Sequence, residues 1–208
     1  MDESDYMARN TIKDVEIINI DDLYSGHNCL NKYTLRIKYF DNSTSEVFQR
    51  ESTIKPIVAG VLPYDVARDK VVLIEQFRIG SIADEVSPWL FEIVAGIVDK
   101  SGEDIAVMAK RELQEEAGLV SKDLKFIMQY WVSPGASNER LSLYWSDIDS
   151  DKASEFCGLR AEHEDIKVHV VTSEEAFALV RDGVICNSLT IIALQWLQLN
   201  KHNLKSVG

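Results

Sequence analysis

The chain has 208 residues, 46% hydrophobic and 27% charged, the balance of a folded protein rather than a disordered one. Lys+Arg is 22 against Asp+Glu 34, a formal charge of −12, which argues against a nucleic-acid binder or a protein drawn to an anionic membrane surface. Any anion is therefore handled locally, by a few arginines or by bound metal.

The length fits one domain with a sizeable appendage. Residues 1–10 read as frayed. Val15–Ile20, Leu35–Phe40 and Glu46–Glu51 read as strands, with turn chemistry at Asp41-Asn42-Ser43-Thr44-Ser45. This predicts a small antiparallel β unit over residues 1–55, too small to bury much by itself. The character changes after Pro56, and residues 56–208 are expected to form the main domain. Ile57–Leu62 and Lys70–Phe77 read as strands joined by a turn around Asp65–Asp69. Trp89–Ala95 reads as a further strand halted by Gly96. A helix is predicted over Glu103–Ala117, stopped by Gly118. Leu124–Trp131, Arg140–Trp145 and Ile166–Val171 read as strands. Thr172-Ser173-Glu174-Glu175 fits a capping box for a helix ending at Gly183. A last helix, Ser188–Asn200, is apolar almost all round and is assigned to the core. Intermixed strands and helices predict an α/β or α+β sandwich.

The apolar runs Ile57–Leu62 and Ile93–Val98 are too short to cross a bilayer, and the acidic start Met1-Asp2-Glu3-Ser4-Asp5 does not resemble an export signal. Three widely spaced cysteines without a CxxC pair read as reduced thiols in a cytoplasmic protein. Four scattered histidines make a His/Cys zinc site an unpromising reading.

On the predicted helix at about 100° per residue, Ala106, Ala109, Leu113 and Ala117 share one side, while Glu112, Glu115 and Glu116 share another arc. Glu112 and Glu116 stand at i and i+4, where like charges repel, and the helix macrodipole near the C-terminus adds to the repulsion. A divalent cation reverses that penalty, and Mg²⁺ or Mn²⁺ takes carboxylate oxygens of this kind. Taken alone, an ExxEE stretch is more often a solvated acidic face.

The context decides between them. Gly96, Glu103 and Arg111-Glu112-Leu113-Gln114-Glu115-Glu116-Ala117-Gly118-Leu119 resemble the Nudix box, GX5EX7REUXEEXGU with U aliphatic. One departure exists: six residues, Ile97–Gly102, separate Gly96 from Glu103 where the family pattern has five. From Glu103 onward the spacing is regular, so the insertion is expected in the loop before the helix. Beyond the box, Gln129-Tyr130-Trp131-Val132-Ser133-Pro134-Gly135 places a proline fifteen residues past Leu119, similar to the ADP-ribose pyrophosphatase subgroup. Ser137–Arg140, Gly158–Val170 and Ile192–Leu199 resemble the same subgroup.

The resemblance implies a Nudix α/β/α sandwich with a mixed sheet, carrying the small N-terminal antiparallel β unit. It implies Mg²⁺, with Mn²⁺ as a substitute, held by Glu112, Glu116, Glu164 and the carbonyl of Ala95, with Glu115 close by. Glu162 is implied as the general base and Glu115 as a further catalytic acid. Without the resemblance, Glu162 and Glu164 read as solvated loop acids. Arg50 and Arg78, each placed at the end of an apolar strand, are the candidate anion clamps. Ser133, Pro134 and Gly135 are implied as a wall of the ribose pocket and Glu139 as a ribose or phosphate contact, although the segment also reads as an ordinary β-turn. In relatives an aromatic residue after a Leu-Tyr-x-Gly run stacks on the base. Here Leu23-Tyr24-Ser25-Gly26 is followed by His27. Relatives also exchange the N-terminal unit between two subunits, which implies a homodimer. The expected activity is hydrolysis of ADP-ribose to AMP and ribose 5-phosphate. Cleavage of another nucleoside-diphosphate sugar such as GDP-mannose is the alternative. A non-catalytic ADP-ribose sensor is disfavoured because Arg111, Glu112, Glu115 and Glu116 are all present.

Overall fold

A computed structural model of the protein describes residues 10–83, 87–98, 102–121 and 123–204. The expected fraying of residues 1–10, apart from Asn10, and the centre of the Ile97–Gly102 insertion lie outside the described residues. The chain separates into two compact units, residues 1–55 with Ser133–Glu139, and residues 56–132 with 140–208.

In the first unit β1 (Val15–Ser25), β2 (Cys29–Ile37) and β3 (Phe48–Ile54) form one antiparallel sheet in that order. All three strands differ in extent from the sequence reading, because β1 and β2 form a long hairpin that turns at Gly26-His27-Asn28 and β3 pairs along the whole of its length with β2. β2 ends at Ile37, whose N–H donates to the Ser45 hydroxyl at 2.9 Å while the Ser45 N–H donates back to the Ile37 carbonyl at 2.9 Å. The expected turn forms after it, with the Asp41 carboxylate accepting from the Ser43 N–H and hydroxyl. Residues Ser133–Glu139 join this unit by hydrogen bonds to β3: the Thr53 N–H donates to the Ala136 carbonyl and the Asn138 N–H to the Thr53 carbonyl. Among the described residues of this unit only Ser45 is buried, so its sheet has no apolar core of its own.

The second unit contains an eight-stranded mixed sheet: β4 (Val58–Asp65), β5 (Lys70–Phe77), β6 (Trp89–Glu92), β7 (Val94–Ile97), β8 (Lys125–Trp131), β9 (Arg140–Asp147), β10 (Phe156–Cys157) and β11 (Ile166–Thr172). The order is β10-β11-β5-β4-β9-β8, with β6 on β5 and β7 on β4, and only the β4–β9 pairing is parallel. Alternation along each strand feeds two cores. Val61, Val72, Ile74 and Val94 face α1 (Ile105–Ala117), meeting Met108, Ala109, Leu113 and Ala117. Leu62, Leu73 and Ile93 face α2 (Ser173–Arg181) and α3 (Ser188–Asn200), meeting Phe177, Ala193, Leu194 and Leu197. The second unit is an α/β/α sandwich, as the sequence predicts. No described helix is long and apolar enough to cross a membrane.

The expected single strand Trp89–Ala95 is two. Its first half pairs with β5, its second with β4, and the chain changes partner at Ile93. The Ile93 N–H, free of the ladder there, donates to the buried Thr190 hydroxyl at 3.0 Å. Gly96 does not end the strand but pairs with Ala59 inside β7. Alternation in a sequence cannot reveal such a change of neighbour. α1 begins at Ile105, two residues later than expected, because the Asp104 carboxylate caps the Ala106 and Val107 N–H groups. Gly118 ends it at φ 68°, a left-handed conformation that favours glycine.

Candidate active site

The carboxylates of α1 meet the backbone of β7. The Ala95 N–H donates to Glu116 Oε2 at 3.0 Å, and Glu116 is only 3% exposed. It belongs to the buried face with Leu113 and Ala117, so the wheel's separate acidic arc holds for Glu112 and Glu115 alone. A Cβ added at Gly96 would land inside the Glu112 carboxyl group, so Glu112 lies flat against the backbone that a side chain would otherwise cover. The obstructing atoms are the end of a flexible side chain. Gly96→Ala is therefore expected to keep the fold, with a melting temperature within a few degrees of wild type, while activity falls by tenfold or more as Glu112 is displaced. Parallel melting and rate measurements separate the two effects.

Arg111 gathers the remaining acids. Its Nη1 is 2.9 Å from Glu112 Oε1 and 2.9 Å from Glu115 Oε2, and its Nη2 is 3.5 Å from Glu103 Oε2. Burial works against its charge, but Glu112 foremost, with Glu103 and Glu115, raises its pKa further. Glu115 is thus engaged with Arg111.

Glu116 has the opposite environment. Burial foremost pushes its pKa from 4.5 up to about 8; the Ala95 amide and Arg78 work against this, and the charges of Glu112 and Glu164 add to it. Glu164 belongs to the loop between β10 and β11, where the Leu159 N–H donates to its Oε2 at 3.4 Å. Glu162 sits exposed at the end of the short helical turn Arg160–Glu162. The Gly158 N–H donates to the Glu115 carbonyl at 3.2 Å, which ties this loop to the last turn of α1. Arg78 follows β5 directly, and its Nε and Nη2 donate to Glu92 Oε2 at 2.9 and 2.7 Å.

The structure therefore brings Ala95, Glu112, Glu116, Glu164 and Arg78 into one electrostatic neighbourhood, with Glu115 joined to it through Arg111 and Glu162 on the loop that follows Gly158. The other expected site residues belong to the first unit. His27 is exposed at the β1–β2 turn. Arg50 is not at a strand end but in the middle of β3, opposite Tyr33, with its guanidinium over the Phe48 ring and Nη1 on the Gln49 carbonyl. Ser133, Pro134 and Gly135 form a turn in which the Ser133 carbonyl accepts from the Ala136 and Ser137 N–H groups. The Glu139 N–H donates to the Ser137 hydroxyl at 3.1 Å.

Among the described residues no three acidic, His or Cys side chains already converge on one point at coordinating distance. Glu112 is drawn to Arg111 and Glu164 to the Leu159 amide. The donor chemistry nonetheless fits a hard divalent cation: a buried carboxylate with a single backbone donor, and two further acids whose charges repel it. Burial and those charges raise the pKa of such a carboxylate, and a bound cation would act in the opposite direction.

Sequence reasoning missed Glu92, the partner of Arg78, and Gln76, which donates to the same Glu92 oxygen. The available signal was a lone acid inside the apolar run Trp89-Leu90-Phe91-Glu92-Ile93-Val94-Ala95, since a charge in a buried strand requires a partner.

Comparison with known proteins identifies the family. A family model described as NUDIX domain matches residues 55–186. An ADP-ribose pyrophosphatase of Escherichia coli is 43% identical over 93% of this chain and 92% of its own length. One from Haemophilus influenzae is 42% identical over 90% of this chain and 88% of its own. A GDP-mannose pyrophosphatase of Yersinia pestis is 31% identical over 82% of this chain and 85% of its own. Among solved structures, an ADP compounds hydrolase superposes with a TM-score of 0.67 at 18% identity, covering 92% of this chain and 98% of that one, a likeness of fold. A glutamate buried against the strand, an arginine-tied acidic helix and a domain match across most of the second unit lead to one statement: this chain belongs to the Nudix family, whose members hydrolyse diphosphate bonds.

Proposed function

We propose that the protein is a Mg²⁺-dependent ADP-ribose pyrophosphatase, hydrolysing ADP-ribose to AMP and ribose 5-phosphate. The observation that carries the chemistry is the Glu116 carboxylate, buried on the Ala95 amide and repelled by Glu112 and Glu164. The substrate rests on the 43% identity to proteins named for ADP-ribose. In this reading Glu112, Glu116, Glu164 and the Ala95 carbonyl hold Mg²⁺. The ion supplies charge neutralisation for the diphosphate and makes water more acidic. Arg78 binds a diphosphate oxygen through its guanidinium fork. Glu162 accepts the proton of the attacking water, and its exposed position leaves it free to do so. Glu115, held by Arg111, keeps the helix end in register with the Glu162 loop through the Gly158 amide.

Two copies form the working unit in this proposal. Ile17, Ile18, Ile20, Leu23 and Tyr24 of β1 are each more than two-fifths exposed, an apolar strand that a second copy would cover. Arg50, His27, Ser133, Pro134, Gly135 and Glu139 then bind the nucleotide and ribose ends. Cys29, Cys157 and Cys186 are free thiols, in keeping with a cytoplasmic enzyme.

GDP-mannose is the second reading, supported by the 31% identity to a protein named for it. A product assay with ADP-ribose, GDP-mannose, NADH and diadenosine polyphosphates, with and without Mg²⁺, distinguishes them. AMP and ribose 5-phosphate are expected to form fastest, from ADP-ribose, and only with metal. Faster cleavage of GDP-mannose would replace the substrate and keep the site.

A further inference from the structure

We propose that Glu92 is a positioning residue for diphosphate binding: it fixes the Arg78 guanidinium beside the acidic centre and keeps it from pairing with the acids there. The inference rests on the diphosphate-hydrolase reading above and adds a residue that the family motif does not contain.

Three acids are buried in the described structure, Asp65, Glu92 and Glu116. Asp65 is saturated by Ser150 and Arg68, which brace the end of β4 against the turn after β9. Glu116 has the Ala95 amide. Glu92 takes three side-chain donors, all on Oε2: Arg78 Nε at 2.9 Å, Arg78 Nη2 at 2.7 Å and Gln76 Nε2 at 3.2 Å. The strands explain the meeting. Ile74 pairs with Glu92 across β5 and β6, and Ile74 belongs to the core on the α1 side. Gln76 and Arg78 continue the same alternation, so all of these side chains lie on the α1 side of the sheet.

Among the described residues, Arg78 is a cation whose charge reaches Glu116 and Glu164. Left mobile, it would close onto one of those carboxylates and cancel the negative charge a metal ion needs. Glu92 supplies a competing carboxylate set into the sheet. Its two bonds to Arg78 use Nε and one N–H of Nη2, and they fix the plane of the guanidinium. Three of the five N–H donors remain for an incoming anion. The ordering of a long side chain is thereby completed before substrate arrives, which lowers what binding must spend on it.

A double-mutant cycle tests this. Glu92→Gln keeps the volume and removes the charge. It is expected to raise KM for ADP-ribose about tenfold and to raise the Mg²⁺ concentration for half-activation, with kcat changed less than about threefold. In an Arg78→Ala background the same substitution should have no further effect on KM. Glu92→Asp, which retains the charge, should recover part of the loss and serves as the second variant if Glu92→Gln is poorly folded. An equal KM effect in both backgrounds, or a loss confined to kcat, would overturn the proposal. If the wild-type protein does not hydrolyse ADP-ribose, the functional reading has failed separately. The cycle is then read by calorimetric binding of ADP in Mg²⁺, where loss of coupling between the two positions rejects the proposal and retained coupling supports it.

Discussion

Glu116→Gln should leave a folded protein whose hydrolysis in Mg²⁺ is reduced by at least about a hundredfold. Gln keeps an oxygen for the Ala95 amide and removes the charge, so the strand contact survives while the cation loses its most buried ligand. A second signature comes from stability. In the metal-free fold the Glu116 pKa lies near 8, raised foremost by burial from an ordinary 4.5. Between those values the folded state holds a proton that the unfolded state has lost. Stability therefore falls as pH rises from about 4.5 to about 8, and above that the penalty is complete, on the order of several kcal/mol. Melting curves in EDTA should decline over that interval for wild type and be flatter for Glu116→Gln. Mg²⁺ added at pH 8 should raise the wild-type melting temperature and leave the variant nearly unmoved. A variant that responds to Mg²⁺ like wild type would remove Glu116 from the metal centre.

Glu162→Gln carries the other large effect. The residue is exposed, on a turn anchored by Gly158 to the helix end, so substitution should not disturb packing. Turnover is expected to fall by about 10²-fold or more, as when a general base is lost, while KM and the Mg²⁺ midpoint stay near wild type. Unchanged turnover would move the base to another loop acid.

The fold was legible in the sequence where one local feature decides the structure. The Thr172–Glu175 capping box is present with both reciprocal bonds, Gly118 stops α1, and α3 has the expected bounds. Glu112, Glu115 and Glu116 could be placed because helix phase is fixed over short distances. Their different surroundings could not, because burial of Glu116 depends on β7, which the pattern hid by merging it with β6. The same merger concealed why Glu92 is charged. Partner changes at Ile93 and the two-residue strand Phe156–Cys157 are tertiary facts, decided by which neighbour is available rather than by alternation. Arg50 was misplaced for a related reason: β3 runs to Ile54 because it pairs along its whole length with β2, from Leu35 back to Cys29.

The parallel pairing of β4 with β9 joins Val58 to Leu141, 83 residues further along the chain. β7, against which Glu116 and Glu112 rest, hangs on β4, and α1 lies within the interval that this pairing encloses. On a ribosome, every glutamate of the box is made before the strand that completes the sheet's centre. The strands on which the acidic helix packs, β4, β5 and β7, precede it, whereas the loop that carries Glu162 and Glu164 follows β9. The candidate site is thus assembled late in synthesis, and a chain released before residue 140 would contain the whole motif without the loop acids.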